Sequence, residues 1–126
     1  MAAMSDYLEN ELLDHALGTG SFTMPSNVYM KLHIGTPGDD GTTNAASETT
    51  RVDCGNFAAA AAGTTDNDAA IQWSSVSNTE TYSHFSLWDA SSGGNCLFVG
   101  ALSSSVAVTA GDDFEIPAGD LDITFQ

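Results

Sequence analysis

Cations are what this 126-residue chain has least of. Lys31 and Arg51 stand against seventeen Asp and Glu, giving a formal net charge of −15 at pH 7. Nucleic acids and anionic membrane surfaces are bound by clustered Lys and Arg, so neither is an expected partner. Cysteine is as scarce: Cys54 and Cys96 lie far apart with no CxxC spacing, and no zinc or redox pair is read from them. They are expected as two small buried apolar side chains, with a disulfide left open. No run approaches the ~20 apolar residues that cross a bilayer. The N-terminus has neither the basic region nor the apolar core of a signal peptide, and none is expected. His15, His33 and His84 are each more than four residues from the next, which reads as ordinary surface or core histidine. There is no GxSxG elbow or other nucleophile context, so no catalytic residue, cofactor or metal site is expected, and the chain does not read as an enzyme.

What is present is ordinary in amount and specific in pattern. At 42% hydrophobic residues and a mean hydropathy of −0.06, the chain is neither disordered nor membrane-embedded. One domain of this length buries about two thirds of its surface, enough for a core without staples. Scarce Lys beside many Asp, Ser and Thr is the composition expected in high salt, which points to a marine or halophilic source.

The segment from Ser5 to Leu17 predicts a short helix. Ser5 caps it, Asp6 and Glu9 place negative charge at the positive end of its dipole, and Leu8, Leu12 and Ala16 recur every four residues, with Leu13 and Leu17 widening the stripe. Gly18 and Gly20 stop it. Beyond Gly20 the period becomes two. Val28, Met30, Leu32 and Ile34 alternate with Tyr29, Lys31 and His33, and a turn-rich loop follows from Gly35 to Gly41. Thr49–Asp53 predicts a short strand, Phe57 with Ala58–Ala62 a strand packed where side chains must be small, and Ala70–Trp73 another. Thr81–Trp88 places Ser83, Phe85 and Leu87 on one face and Tyr82, His84 and Trp88 on the other. Cys96–Leu102 is apolar on both faces, as a central strand would be. Val106–Val108, Phe114–Ile116 and Leu121–Phe125 complete the set. About eight or nine short strands after one helix predict a single all-β domain over 1–126. The expected architecture is a jelly-roll-like antiparallel β-sandwich spanning about 22–126, with the helix over about 5–17.

Two other features could carry chemistry. Asp39 with Asp40, Asp66 with Asp68, and Asp112 with Asp113 lie in or beside loops, as calcium ligands do, but none matches an EF-hand loop, and solvated loops are the expected reading. Tyr29, Trp73, Tyr82 and Trp88 could form a sugar platform, yet aromatic side chains in a small sandwich usually belong to the core.

Four segments resemble a family of small tailed-phage virion proteins. They are SDYLENELLDHALG (5–18), SNVYMKLHIGTPGDDG (26–41), TYSHFSLWDASSGGNCLFVGALSS (81–104) and VTAGDDFEIPAGDLDI (108–123). The third carries the family's HF-x-[IL]-[FW]-DA-x-x-GG-N-x-L pattern from His84 to Leu97, although Tyr82-Ser83 replaces the usual valine–threonine pair before the histidine. Ala110-Gly111-Asp112 and Ala118-Gly119-Asp120-Leu121 close it. Members are labelled tail-fibre proteins, and similar chains act as capsid cement or decoration proteins. The resemblance implies a virion location, on the capsid surface or the tail. It implies a structural role, with capsid decoration leading and a glycan-binding tail-fibre or baseplate component as the alternative. Expected partners are the major capsid protein, or tail proteins, and further copies of the chain in a dimer or trimer. Leu8, Leu12, Leu13 and Leu17 are expected to form either the helix-to-sheet seal or the subunit contact. Trp88 and Asp89, leading into the Gly93-Gly94-Asn95 turn, are expected to set the fold first and to offer contact surface second.

A charge of −15 repels itself until salt screens it over a Debye length of ~10 Å at 0.1 M. The melting temperature should therefore rise between low and molar NaCl. A flat profile would show that repulsion does not limit stability.

Overall fold

A computed structural model describes residues 2–124. It contains nine strands and one helix among these residues: β1 (Ala2–Met4), α1 (Asp6–Ala16), β2 (Tyr29–His33), β3 (Val52–Asp53), β4 (Thr64–Thr65), β5 (Ile71–Trp73), β6 (Glu80–Trp88), β7 (Cys96–Val108), β8 (Phe114–Ile116) and β9 (Ile123–Thr124). The main sheet has the order β1-β7-β6-β2-β3, and β4-β9 and β5-β8 form two short ribbons. All pairings are antiparallel. The β1 segment, Ala2-Ala3-Met4, is too short and plain to announce a strand; it is held by the edge of β7, with Met4 opposite Phe98.

Cross-strand register explains the core. Met30 pairs with Leu87 and Leu32 with Phe85, so all four project from one face of the sheet. Ile71, Trp73, Phe114, Ile116 and Ile123 from the two ribbons join them in one buried cluster, which makes the fold sandwich-like, as the alternating strands predict. Trp73 and Tyr82 each meet Phe114, at ring-centroid distances of 5.7 and 5.2 Å. Such pairs contribute about 0.5–1.5 kcal/mol beyond their buried area.

Three local expectations are corrected. Tyr82 does not share a face with His84 and Trp88. The register jumps from Tyr82 opposite Val106 to His84 opposite Ala101, so Leu102–Ser105 bulge out against Ser83 alone. The bulge switches which side the chain alternates to, and Tyr82 enters the main core with Phe85. Ala58–Ala62 forms no strand: Phe57 and Ala61 make single bridges to Asn67 and Thr64, and Ala59 to Ala62 are exposed. Alanine offers too little apolar area to hold a second-layer strand against solvent. Ile34, expected on the inner face of β2, lies past the strand end and is half exposed. The last expected strand survives as β9 within Leu121–Thr124; Phe125 lies outside the described residues.

The helix is placed by its first residue. Ser5 is extended, accepts from the Leu8 N–H at 3.2 Å, and donates its hydroxyl proton to the Cys96 carbonyl. Its own N–H reaches the Leu97 carbonyl at 2.8 Å. One buried serine thus caps α1 and fastens it to the start of β7. Ser5→Ala removes the cap and leaves a buried carbonyl without its donor, which should cost about 2–3 kcal/mol in urea unfolding. A loss below about 0.5 kcal/mol, the ordinary size of a surface substitution, would show that the fastening is not used.

Candidate functional site

The outer face of the main sheet carries the residues that the inner core does not use. Lys31, His33, Ser86 and Trp88 project there from β2 and β6, and Cys96 and Val99 from β7. Trp88, Cys96 and Val99 form a second, small buried cluster. Trp88 Nε1–H donates to Ser86 Oγ at 2.7 Å. His33 Nδ1 lies 2.9 Å from the Thr43 carbonyl, which can only accept, so that nitrogen carries the proton; Nε2 then accepts from the Ser86 hydroxyl at 2.7 Å. Burial holds the His33 imidazole below the usual histidine range, consistent with a neutral ring in this chain. Ser86 and His33 are fully buried, and this serine–histidine contact serves to anchor an indole.

Both cations of the chain converge on that indole. The Arg51 guanidinium carbon sits 3.9 Å from the Trp88 ring centroid and Lys31 Nζ at 6.0 Å. Arg51 Nη1 also donates to the carbonyls of Ala90 and Gly93, at 2.9 and 2.7 Å. The Gly93-Gly94-Asn95 turn is held from its other side by Asp89, whose carboxylate accepts from the Asn95 N–H at 2.7 Å and from Asn95 Nδ2 at 3.1 Å. Gly94 has φ +71°, and a Cβ there would collide with the Asp89 carboxylate and Ala90. Gly41, at φ +72°, brings the 35–41 loop against the cluster; a Cβ would meet Cys96 Sγ at 2.6 Å and the Trp88 ring at 3.1 Å.

Of the residues singled out in the sequence, Leu8 is 4% exposed and seals the helix, and Leu12 is half-buried. Leu13 and Leu17 are 57% and 75% exposed. Met24, beyond the loop that folds back so that the Phe22 N–H reaches His15 Nδ1, is exposed too. Trp88 is buried and holds the junction rather than offering surface, and Asp89 is half-buried beside it. Trp73 and Tyr82 are also buried, which leaves Tyr29 alone of the four candidate platform aromatics partly open. Cys54 lies in the main core and Cys96 in the outer cluster; both thiols are free, and burial pushes both up to about 12.

The loop carboxylates act as acceptors for backbone N–H groups. Asp40 takes Thr42, Asp53 takes Gly55, Asp112 takes Thr109 and Asp113 takes Ser75, at 2.8–3.0 Å. Among the described residues no group of three or more His, Cys, Asp or Glu is arranged to hold a metal ion. Arg51 escaped the sequence reading because its partner is 37 positions away in an aromatic residue, a pairing with no local pattern. The one signal was its rarity.

Replacing Arg51 by Lys keeps the charge but loses the flat stack and the paired carbonyl contacts, and should destabilise the fold by about 1–2 kcal/mol. An unchanged denaturation midpoint would show that the stack is incidental.

No curated protein matches the chain. A family model described as podophage GP4 fiber I protein gp80 matches residues 3–124. That span runs from β1 to β9 and takes in the helix, the Trp88 junction and both ribbons, so this protein belongs to that family of phage virion structural proteins.

Proposed function

We propose that the protein is a fibre subunit of a tailed phage, docked through the free end of its N-terminal helix. The single observation that carries this reading is the family match, whose description names a fibre and whose span covers the whole described fold. The helix supports it. Its N-terminus is fixed to β7, while Leu13, Leu17 and the neighbouring loop residue Met24 present apolar surface with no use inside the domain. Exposed leucines on a short helix suit contact with tail proteins or with further copies of the chain. Sugar recognition through stacked aromatics draws no support from this geometry, since Trp73, Tyr82 and Trp88 are buried.

Capsid decoration is the second reading. The chain is short, carries no internal repeat of the kind that builds an elongated shaft, and consists of one two-layered β-fold with a helix at its side. Such a unit fits the junctions of a shell made of the major capsid protein.

Quantitative mass spectrometry of purified virions separates the two. A fibre subunit should be present in a small multiple of the tail's symmetry, and Leu17→Asp should abolish its incorporation while leaving the isolated chain folded. A copy number commensurate with the major capsid protein would overturn the fibre reading in favour of decoration. Absence from the virion would remove both.

A further inference from the structure

For most of its length β7 is an edge strand. β1 covers it only from Phe98 to Gly100, and β6 lies on its other side. Among the described residues no strand pairs with the outer side of Ala101–Val108. Open N–H and C=O groups along an edge are a template for another strand, and proteins usually blunt them with charge or proline. β7 has neither, and no charged residue occurs between Asp89 and Asp112. The bulge at Leu102–Ser105 breaks the pairing to β6 and sets Leu102, Ser103 and Ser104 along a groove.

That groove, of about 460 Å³, lies between the β7 edge on one side and β8 with the 117–122 segment on the other. β8 pairs with β5 alone, so both bounding strands have a partner on one side only. The floor is apolar, from the buried Phe85, Phe114 and Leu121. The rim is acidic, from the exposed Glu115, Asp120 and Asp122. Other loop carboxylates accept from backbone N–H groups; these three side chains have no hydrogen-bond partner among the described residues. This chain cannot supply the matching cations, because Lys31 and Arg51 are its only Lys and Arg and both lie at Trp88. We propose that the groove takes an extended segment of another protein, alternating apolar and basic residues, as a strand added to Ala101–Val108. Main-chain hydrogen bonds form the ladder, the apolar side chains meet the floor, and Lys or Arg meets the rim. No residue of α1 lines the groove, so this contact surface is distinct from the exposed helix end.

The test uses the full-length protein and three capped eight-residue probes: (Lys-Val)4, the same peptide N-methylated throughout, and (Glu-Val)4. By calorimetry (Lys-Val)4 should saturate one site per chain with a Kd below about 1 mM, at least about tenfold tighter than either control. Amide exchange across Ala101–Val108 should slow about tenfold on binding, which adsorption to an acidic surface alone does not produce. Glu115→Gln/Asp120→Asn/Asp122→Asn should weaken the peptide about tenfold. Glu9→Gln/Asp39→Asn/Asp68→Asn, which removes the same charge from exposed positions elsewhere, should change it less than about twofold. No saturable binding, equal binding of either control probe, unprotected edge amides, or an equal loss in the two variants would each overturn the proposal. Concentration-dependent protection of Ala101–Val108 without peptide would overturn it too, and would give the edge to a second copy of this chain.

Discussion

The stacking of Arg51 on Trp88 is the contact around which the outer half of the molecule is arranged. A guanidinium is planar and weakly hydrated, so it lies flat on an indole at little desolvation cost and still has N–H groups to give. Here those groups hold the Ala90 and Gly93 carbonyls of the β6–β7 turn. The same indole is pinned beneath by Ser86 and His33, and His33 reaches on to the loop at Thr43. Loop, turn and two strands are thereby tied to one side chain. The 35–41 loop can approach only because residue 41 has no Cβ.

That arrangement uses the only two cations in the chain, and the consequence runs through the remaining loops. Carboxylates that cannot find ammonium or guanidinium partners are satisfied by backbone N–H groups. Asp40, Glu48, Asp53, Glu80, Asp89, Asp112 and Asp113 all do this. A bond from an N–H to an ionised acceptor is roughly twice as strong as a neutral one, and loops are where unpaired N–H groups accumulate. An acidic chain therefore fastens its connections locally, while the surface keeps its negative field. A partner that is itself acidic, a second copy of this chain included, meets this surface most readily in salt that screens it.

The legible parts of the fold were those governed by short-range rules. Ser5 and the leucine spacing gave the helix to within a residue at each end, and the alternation around Met30 and Leu32 identified the inner face of β2. The readings that failed depended on distant partners. Tyr82 changed faces because Leu102–Ser105 bulge on another strand, and Ala58–Ala62 stayed outside because nothing packs over it. For the junction, Trp88 and Asp89 stood out within a motif, but the role of Arg51 and the buried chain from Ser86 to His33 emerge only when β2 and β6 pair. The second layer was visible as strands and not as two separate ribbons, since hydrogen-bond partnership across more than 40 residues leaves no trace in periodicity.

The exposed end of α1 has an energetic consequence for assembly. Burying a leucine side chain contributes about 1.5–3 kcal/mol, so Leu13 and Leu17 together supply a few kcal/mol. Bringing two proteins together costs about 4–15 kcal/mol in lost freedom, and like charge adds to that cost here. Even with four leucines buried between two copies, about 6–12 kcal/mol in all, a ridge of this size does no more than balance that cost, and it would hold an isolated pair of chains only marginally. In the fibre reading it does not have to, because neighbouring copies on a symmetric virion raise one another's effective concentration. On that reading, attachment would run through weak, repeated and salt-dependent contact.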